Sequence, residues 1–222
     1  MTEWWSYTLS DFLLFSGKTY YRLFELYNRD VWPAQLVALA LGIAVLAAVL
    51  RGGRWRGPIV TSILAAGWLW VAWAFHAERY ASVNWAARYF ALGFALEAVL
   101  LLWTGLVRKE LRYDTAHAAG AGLFLFALSV QPLIGPWLGR PWRQVEIAGM
   151  TPDPTVVATL GILLLASHRP AWKLLLIPLI WCLISGATLY ALGAPDAVVM
   201  PLAGLFSLLM TAQKALSKGV SR

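Results

Sequence analysis

The sequence predicts an all-α integral membrane protein, a bundle of seven transmembrane helices preceded by an amphipathic interfacial helix. Three observations carry this. Of 222 residues, 60% are hydrophobic and 13% charged, with a mean hydropathy of +0.65, outside the ordinary soluble range. Apolar runs near the 17 to 25 residues needed to cross about 30 Å of hydrocarbon recur along the chain. The basic residues fall in alternate connections, the pattern that orients membrane proteins during insertion. Thirteen Trp and eight Tyr suit the headgroup levels of a bilayer.

The first element is the N-terminal segment 1–32. MTEWWSYTLSDF has no basic n-region and no small-residue cleavage site follows it, so the expectation is that no signal peptide is removed. In SGKTYYRLFELYNRDVW, Tyr20, Phe24, Tyr27 and Val31 recur at helical spacing opposite Lys18, Arg22, Glu25 and Arg29. Glu25 and Arg29 are spaced as an i, i+4 pair. This predicts an amphipathic helix on the outer leaflet. Trp32-Pro33 then turns the chain into the membrane, because the residue before proline disfavours helix.

A single membrane domain covers 33–213, with spans at about 33–50, 58–76, 85–107, 116–137, 154–168, 171–192 and 196–213, and a short basic tail at 214–222. The fifth span is short; read as re-entrant, it would reduce the count to six. Pro154 suits its first turn and Pro170 its stop. The connection LGRPWRQVEIAGMTPDPT has no strong period and reads as a loop. Spans one to three and five to seven run in the same direction, like the three-plus-one-plus-three plan of small sugar facilitators. Gly204 stands in span seven where Glu97 stands in span three, so the likeness stops at architecture.

Charge tests the count. With seven spans one side holds Arg51, Arg54, Arg56, Arg108, Lys109, Arg112, Arg169, Lys173, Lys214, Lys218 and Arg222 against Glu110 and Asp114, a balance of +9. The other side balances to −1. Lys and Arg accumulate on the cytoplasmic side, so the C-terminus is expected in the cytoplasm and the N-terminus outside, in a cell inner (plasma) membrane. Insertion thus explains the net charge of +7, and nucleic acid is not expected as a partner.

Glu97 is the one carboxylate inside a span, about 15 to 18 Å from either end at 1.5 Å per residue. An acidic residue there costs about 2.5–3.5 kcal/mol on insertion scales and marks a solute or ion path by default. The alternative is hydrogen-bonded glue, with Gln131, Thr188, Tyr190 or Ser185 as donors. His76, Glu78, Asn84 and Arg88 stand in the outer half and are candidates for a vestibule above it. The bland alternative for each is interfacial decoration. With Gln131 these residues form the expected pathway. Prolines 132, 178 and 201 fall inside spans and permit kinks.

Several chemistries are not expected. The single Cys182 allows no intramolecular disulfide. His76 is expected outside while His117 and His168 lie near the inner face, so no three-histidine site forms, and no metal or cofactor is expected. No HExxH or GxSxG occurs, and no catalytic residue is assigned. Every lysine is expected outside the hydrocarbon, Lys173 standing at the inner end of its span, which excludes a retinal Schiff base.

EWWSYTLSDFLLFS followed by TYYRLFELYNRDVWPAQ resembles the N-terminal signature of a bacterial family of small multi-pass membrane proteins known only as a domain of unknown function. Where the family pattern has Pro-Arg after LLFS, this chain has Gly17-Lys18, which keeps the base and loses the turn proline. Members are loosely labelled permeases, and the resemblance carries no catalytic residues. The label implies little; the expected function, permease-like transport of a small solute or ion, rests on Glu97 as a proton or cation site. The alternative is a non-catalytic accessory or assembly subunit that docks through its N-terminal helix. Expected partners are the lipid bilayer, a small solute or ion, and a membrane-protein partner or second copy.

Overall fold

The computed structural model describes residues 15–113, 118–166 and 171–220. His117, His168, Asp114 and Arg169, with the first fourteen residues, lie outside the described residues. Among those described, regular structure is helical, and one isolated bridge joins Tyr113 to Ala166.

The first helix, α1 (Gly17–Asp30), is capped by Ser16, whose hydroxyl accepts from Thr19 N at 3.2 Å. Of the expected apolar stripe, Tyr20, Phe24 and Tyr27 lie on the helix with Leu23 added, while Val31 is the half-buried residue that ends it. Tyr20, Leu23, Phe24 and Tyr27 are buried, and they are covered by protein: Phe24 lies 5.0 Å from Phe75, and Tyr20 6.0 Å from Tyr80. The charged stripe pairs differently from the expectation. Glu25 accepts from Arg22 at 2.7 Å, while Arg29 turns to Asp30.

Among the described residues, six helices are long and apolar enough to cross a membrane. They are α2 (Ala34–Arg51); α3 (Arg56–Trp70), which runs on through the π-helical stretch Val71–Ala77; α4 (Ala87–Leu102), which runs on through Trp103–Val107; α5 (Ala118–Leu125), joined through Phe126–Val130 to α6 (Gln131–Trp137); α8 (Trp172–Ala191); and α9 (Val199–Val220). The expected fourth span is thus one rod with a wide turn in its middle, just ahead of Pro132 and Pro136.

The remaining helix, α7 (Pro152–Leu164), has 13 residues, and every one is buried. Pro152 and Pro154 lack N–H groups that a helix start would leave unpaired. A threonine ladder ties this helix to the preceding loop. Thr155 donates to Thr151 O at 2.6 Å and accepts from Gly149 N at 2.7 Å; Thr159 donates to Thr155 O and accepts from Trp68 Nε1 at 2.8 Å.

The loop itself enters the bundle. A Cβ built on Gly67 would sit 3.1 Å from Gly149 Cα, eleven residues into α3 and so about 16 Å along it. Tyr27 fixes it there, donating to Met150 O at 2.8 Å and accepting from Trp70 Nε1 at 2.7 Å. Irregular backbone at this depth is tolerated because protein surrounds it.

Hydrogen bonds define two ends. At one, Arg56 donates to Tyr113 O at 2.6 Å, Tyr113 bridges Ala166, and Lys214 donates to Leu164 O and Ala166 O. At the other, Arg79 binds Asp30 at 2.5 Å, Asn28 donates to Arg143 O and Val145 O, and Arg140 pairs with Asp196. Helix α7 leaves the first group at its C-terminus and begins beneath the second.

Candidate functional site

Beneath α1, the N-terminus of α7 meets the end of α6, the 138–151 loop and the α8–α9 turn, and here six polar side chains gather. Gln131, Arg140, Gln144, Glu146, Asp153 and Asp196 line a cavity of about 30 Å³, room for a water-sized guest. Gly135 lets Arg140 fold back over α6; a Cβ there would stand 3.0 Å from Arg140 Nε. The guanidinium pairs with Asp196 and lies 4.6 Å from the centre of the Tyr21 ring.

Asp153, in the first turn of α7, accepts from Trp181 Nε1 at 2.8 Å and from Ser185 Oγ at 2.7 Å. These donors are four residues apart and share one face of α8. The helix N-terminus also favours the carboxylate. Three acceptor oxygens around the cavity have no partner: Gln131 Oε1, Glu146 Oε2 and Asp196 Oδ1. Three carboxylates thus face one guanidinium. Burial foremost, and then the Asp153 charge, holds the Glu146 carboxyl well above its ordinary range, with Arg140 pulling against it. The arrangement can take up and release a proton or hold a small hydrogen-bond donor.

Glu97 lies elsewhere, on α4, with no exposed surface and neither oxygen partnered. The donors considered from sequence are engaged away from it. Ser185 serves Asp153, Thr188 donates to Ile184 O, Gln131 donates toward Met200 Sδ at 3.7 Å, and Tyr190 is exposed. Glu97 does not line the polar cavity.

His76 sits in the π-helical stretch after α3, fully buried with both nitrogens unpartnered. Its ring is 4.6 Å from Phe94 and 5.0 Å from Trp181. Phe94 is one turn from Glu97, and Trp181 holds Asp153, so aromatic rings connect the pocket, His76 and α4. Glu78 and Arg88 are exposed, and Asn84 accepts from Ala86 N at 3.0 Å, a turn-forming contact. Of the six residues picked from sequence, only Gln131 lines the polar cavity. Arg140, Glu146, Asp153 and Asp196 were read as loop charges. The legible signal was Asp153 between two prolines ahead of an apolar run.

No curated protein and no solved structure matches the chain. A family model does, over residues 17–222, which is nearly the whole described region and agrees with the resemblance read from the N-terminal sequence. The chain belongs to the family of unknown function DUF6064.

Proposed function

We propose that this protein is a permease that crosses the membrane seven times and moves a small solute or ion, with the polar pocket beneath α1 as its outward-facing site. The observation that carries this is the start of α7 inside the bundle, where buried Asp153 shares a cavity with half-buried Arg140, Asp196 and Glu146. Transporters place the ends of broken helices at their binding sites, where irregular backbone lines a cavity. Protein surrounds α7 on every side, so it crosses with 13 residues and meets no lipid. Glu97 and His76 are the deeper groups on the path, Gln131 belongs to the pocket, and Glu78 and Arg88 stand at the outer rim with Asn84 shaping the turn beside them.

Proteoliposomes on a solid-supported membrane test it. A panel of sugars, amino acids and inorganic ions is presented at acid and neutral pH. At least one solute should give a transient current that Glu97→Gln and Asp153→Asn both abolish while remaining folded. Silence across the panel, together with no proton uptake above protein-free vesicles, would sink the reading.

An accessory-subunit role has one observation in its favour: α2 exposes Leu36, Val37, Ile43 and Leu50 and is among the least enclosed spans. The aromatic face of α1, the dock expected from sequence, is already filled by Phe75 and Tyr80.

A further inference from the structure

At the opposite end of the bundle two basic loops converge on one pocket. Arg54, Arg56, Lys109 and Arg112 line a cavity of about 780 Å³ together with Trp55, Pro58, Leu106, Leu111 and Tyr113, within the size range of small-molecule sites. No carboxylate is among the described residues that line it. Among the described acids, Glu110 stands nearest in sequence, and it pairs with Arg108 at 3.0 Å.

The convergence is built by the backbone. Gly52 has φ +73°, and a Cβ on it would fall 2.5 Å from Arg56 Nη2, so glycine makes room for the guanidinium that ties the first loop to Tyr113 O at 2.6 Å. On the other side, Arg108 N bonds Trp103 O and Glu110 N bonds Thr104 O, a tight turn with Lys109 in the left-handed region at φ 52°. Arg54 lies 5.3 Å from the centre of the Trp55 ring, and Trp55 is 61% exposed. Insertion bias accounts for basic residues at this end. It does not account for four of them facing one cavity with an apolar wall.

We propose that this pocket binds the headgroup of an anionic phospholipid from the adjoining leaflet. Arg54, Arg56 and Lys109 surround the phosphate, while Trp55, Pro58 and Leu106 lie against the glycerol and first methylenes. A phosphate supplies the acceptor oxygens that Arg and Lys match, and basic pockets at helix ends are where lipid headgroups settle. The inference is independent of transport and holds equally for an accessory subunit.

The test is thermal unfolding of the purified full chain in a neutral detergent with added lipid. Phosphatidylglycerol should raise the melting temperature by about 3–5 °C near ten times its dissociation constant. Phosphatidylcholine and 10 mM inorganic phosphate, used as probes, should not. Arg54→Gln combined with Lys109→Gln should lose most of that shift, and Arg29→Gln with Arg143→Gln, at the other end, should keep it. If the first pair melts early without lipid, Arg54→Gln alone is read the same way, with phosphatidylglycerol bound in native mass spectra as a second measure. Equal shifts from phosphatidylcholine, an equal shift from inorganic phosphate, or a full shift retained by Arg54→Gln with Lys109→Gln would each overturn the proposal.

Discussion

Two carboxylates show how differently one chemistry is housed. Asp153 receives hydrogen bonds from Trp181 and Ser185, whereas Glu97 is as deeply buried and receives none. Removing Asp153 leaves two buried donors unpaired, so Asp153→Ala should lower stability by about 2–4 kcal/mol, measured by denaturation in detergent. Glu97→Leu removes an unpartnered group and should hold or raise the melting temperature while abolishing flux; a clear fall would mean that Glu97 is structural glue. Glu146 gives a pH signature. Its folded carboxyl titrates above the ordinary value of about 4.3, so its contribution is fully present below that pH and is lost as pH rises through the folded value. Glu146→Gln should therefore be more stable than wild type at pH 8 and lose part of the decline between pH 5 and 8. Asp30 works in the opposite sense: its hydrogen bond to Arg79 holds it low, so its contribution is fully present above the ordinary aspartate value and is lost as pH falls through the lowered folded value. Glu97 was legible because an acid in an apolar run stands out. The pocket was not, because Arg140, Glu146, Asp153 and Asp196 are scattered over 56 residues and meet only through tertiary structure.

At the level of elements, the α5–α7 contact sets how tightly the centre closes. A Cβ on Gly161 would lie 2.6 Å from Phe124 N and 2.9 Å from Gly120 O, and one on Gly120 would lie 2.7 Å from Gly161 O. These are backbone atoms, which cannot rotate aside, and small residues are what allow helices this approach in lipid. Gly161→Ala should force the helices apart and cost about 1–3 kcal/mol, while Gly93→Ala, facing open space on α4, should change the melting temperature little. Comparing the two variants by thermal unfolding in the same detergent checks this. The period of α1 was readable from its aromatics, but its ion pair was not, since Arg22 and Arg29 are both within reach of Glu25 and rotamers decide. The 138–151 stretch was readable as a loop; its descent into the bundle follows from Gly149 meeting Gly67, a contact no local pattern announces.

For the whole molecule, the proposed topology draws on the charge pattern and the contacts together. Arg56, Tyr113, Ala166 and Lys214 are joined at one end, and Asp30, Arg79, Arg140 and Asp196 at the other. The first end carries the basic excess, which the proposal places in the cytoplasm by the insertion bias of Lys and Arg. A six-span thread, with α7 looping back on one side, would put the C-terminal end of α9 with the α1 group; Lys214 instead donates to Leu164 O and Ala166 O at the far end of α7. Helix α7 was the weak span from sequence because length was judged against lipid; in the proposed topology it is sheathed in protein and need only cross its neighbours. A fluorescent protein fused after residue 222 should therefore glow, an export-dependent phosphatase at the same place should stay silent, and the phosphatase inserted at Gly139 should be active. A cysteine at Arg29, on the exposed edge of α1, should react in intact spheroplasts with an impermeant thiol reagent, and one at Arg54 should react only after the membrane is opened. Reversed labelling, or phosphatase activity at the C-terminus, would leave α7 as a re-entrant hairpin and remove the crossing on which the proposed path depends.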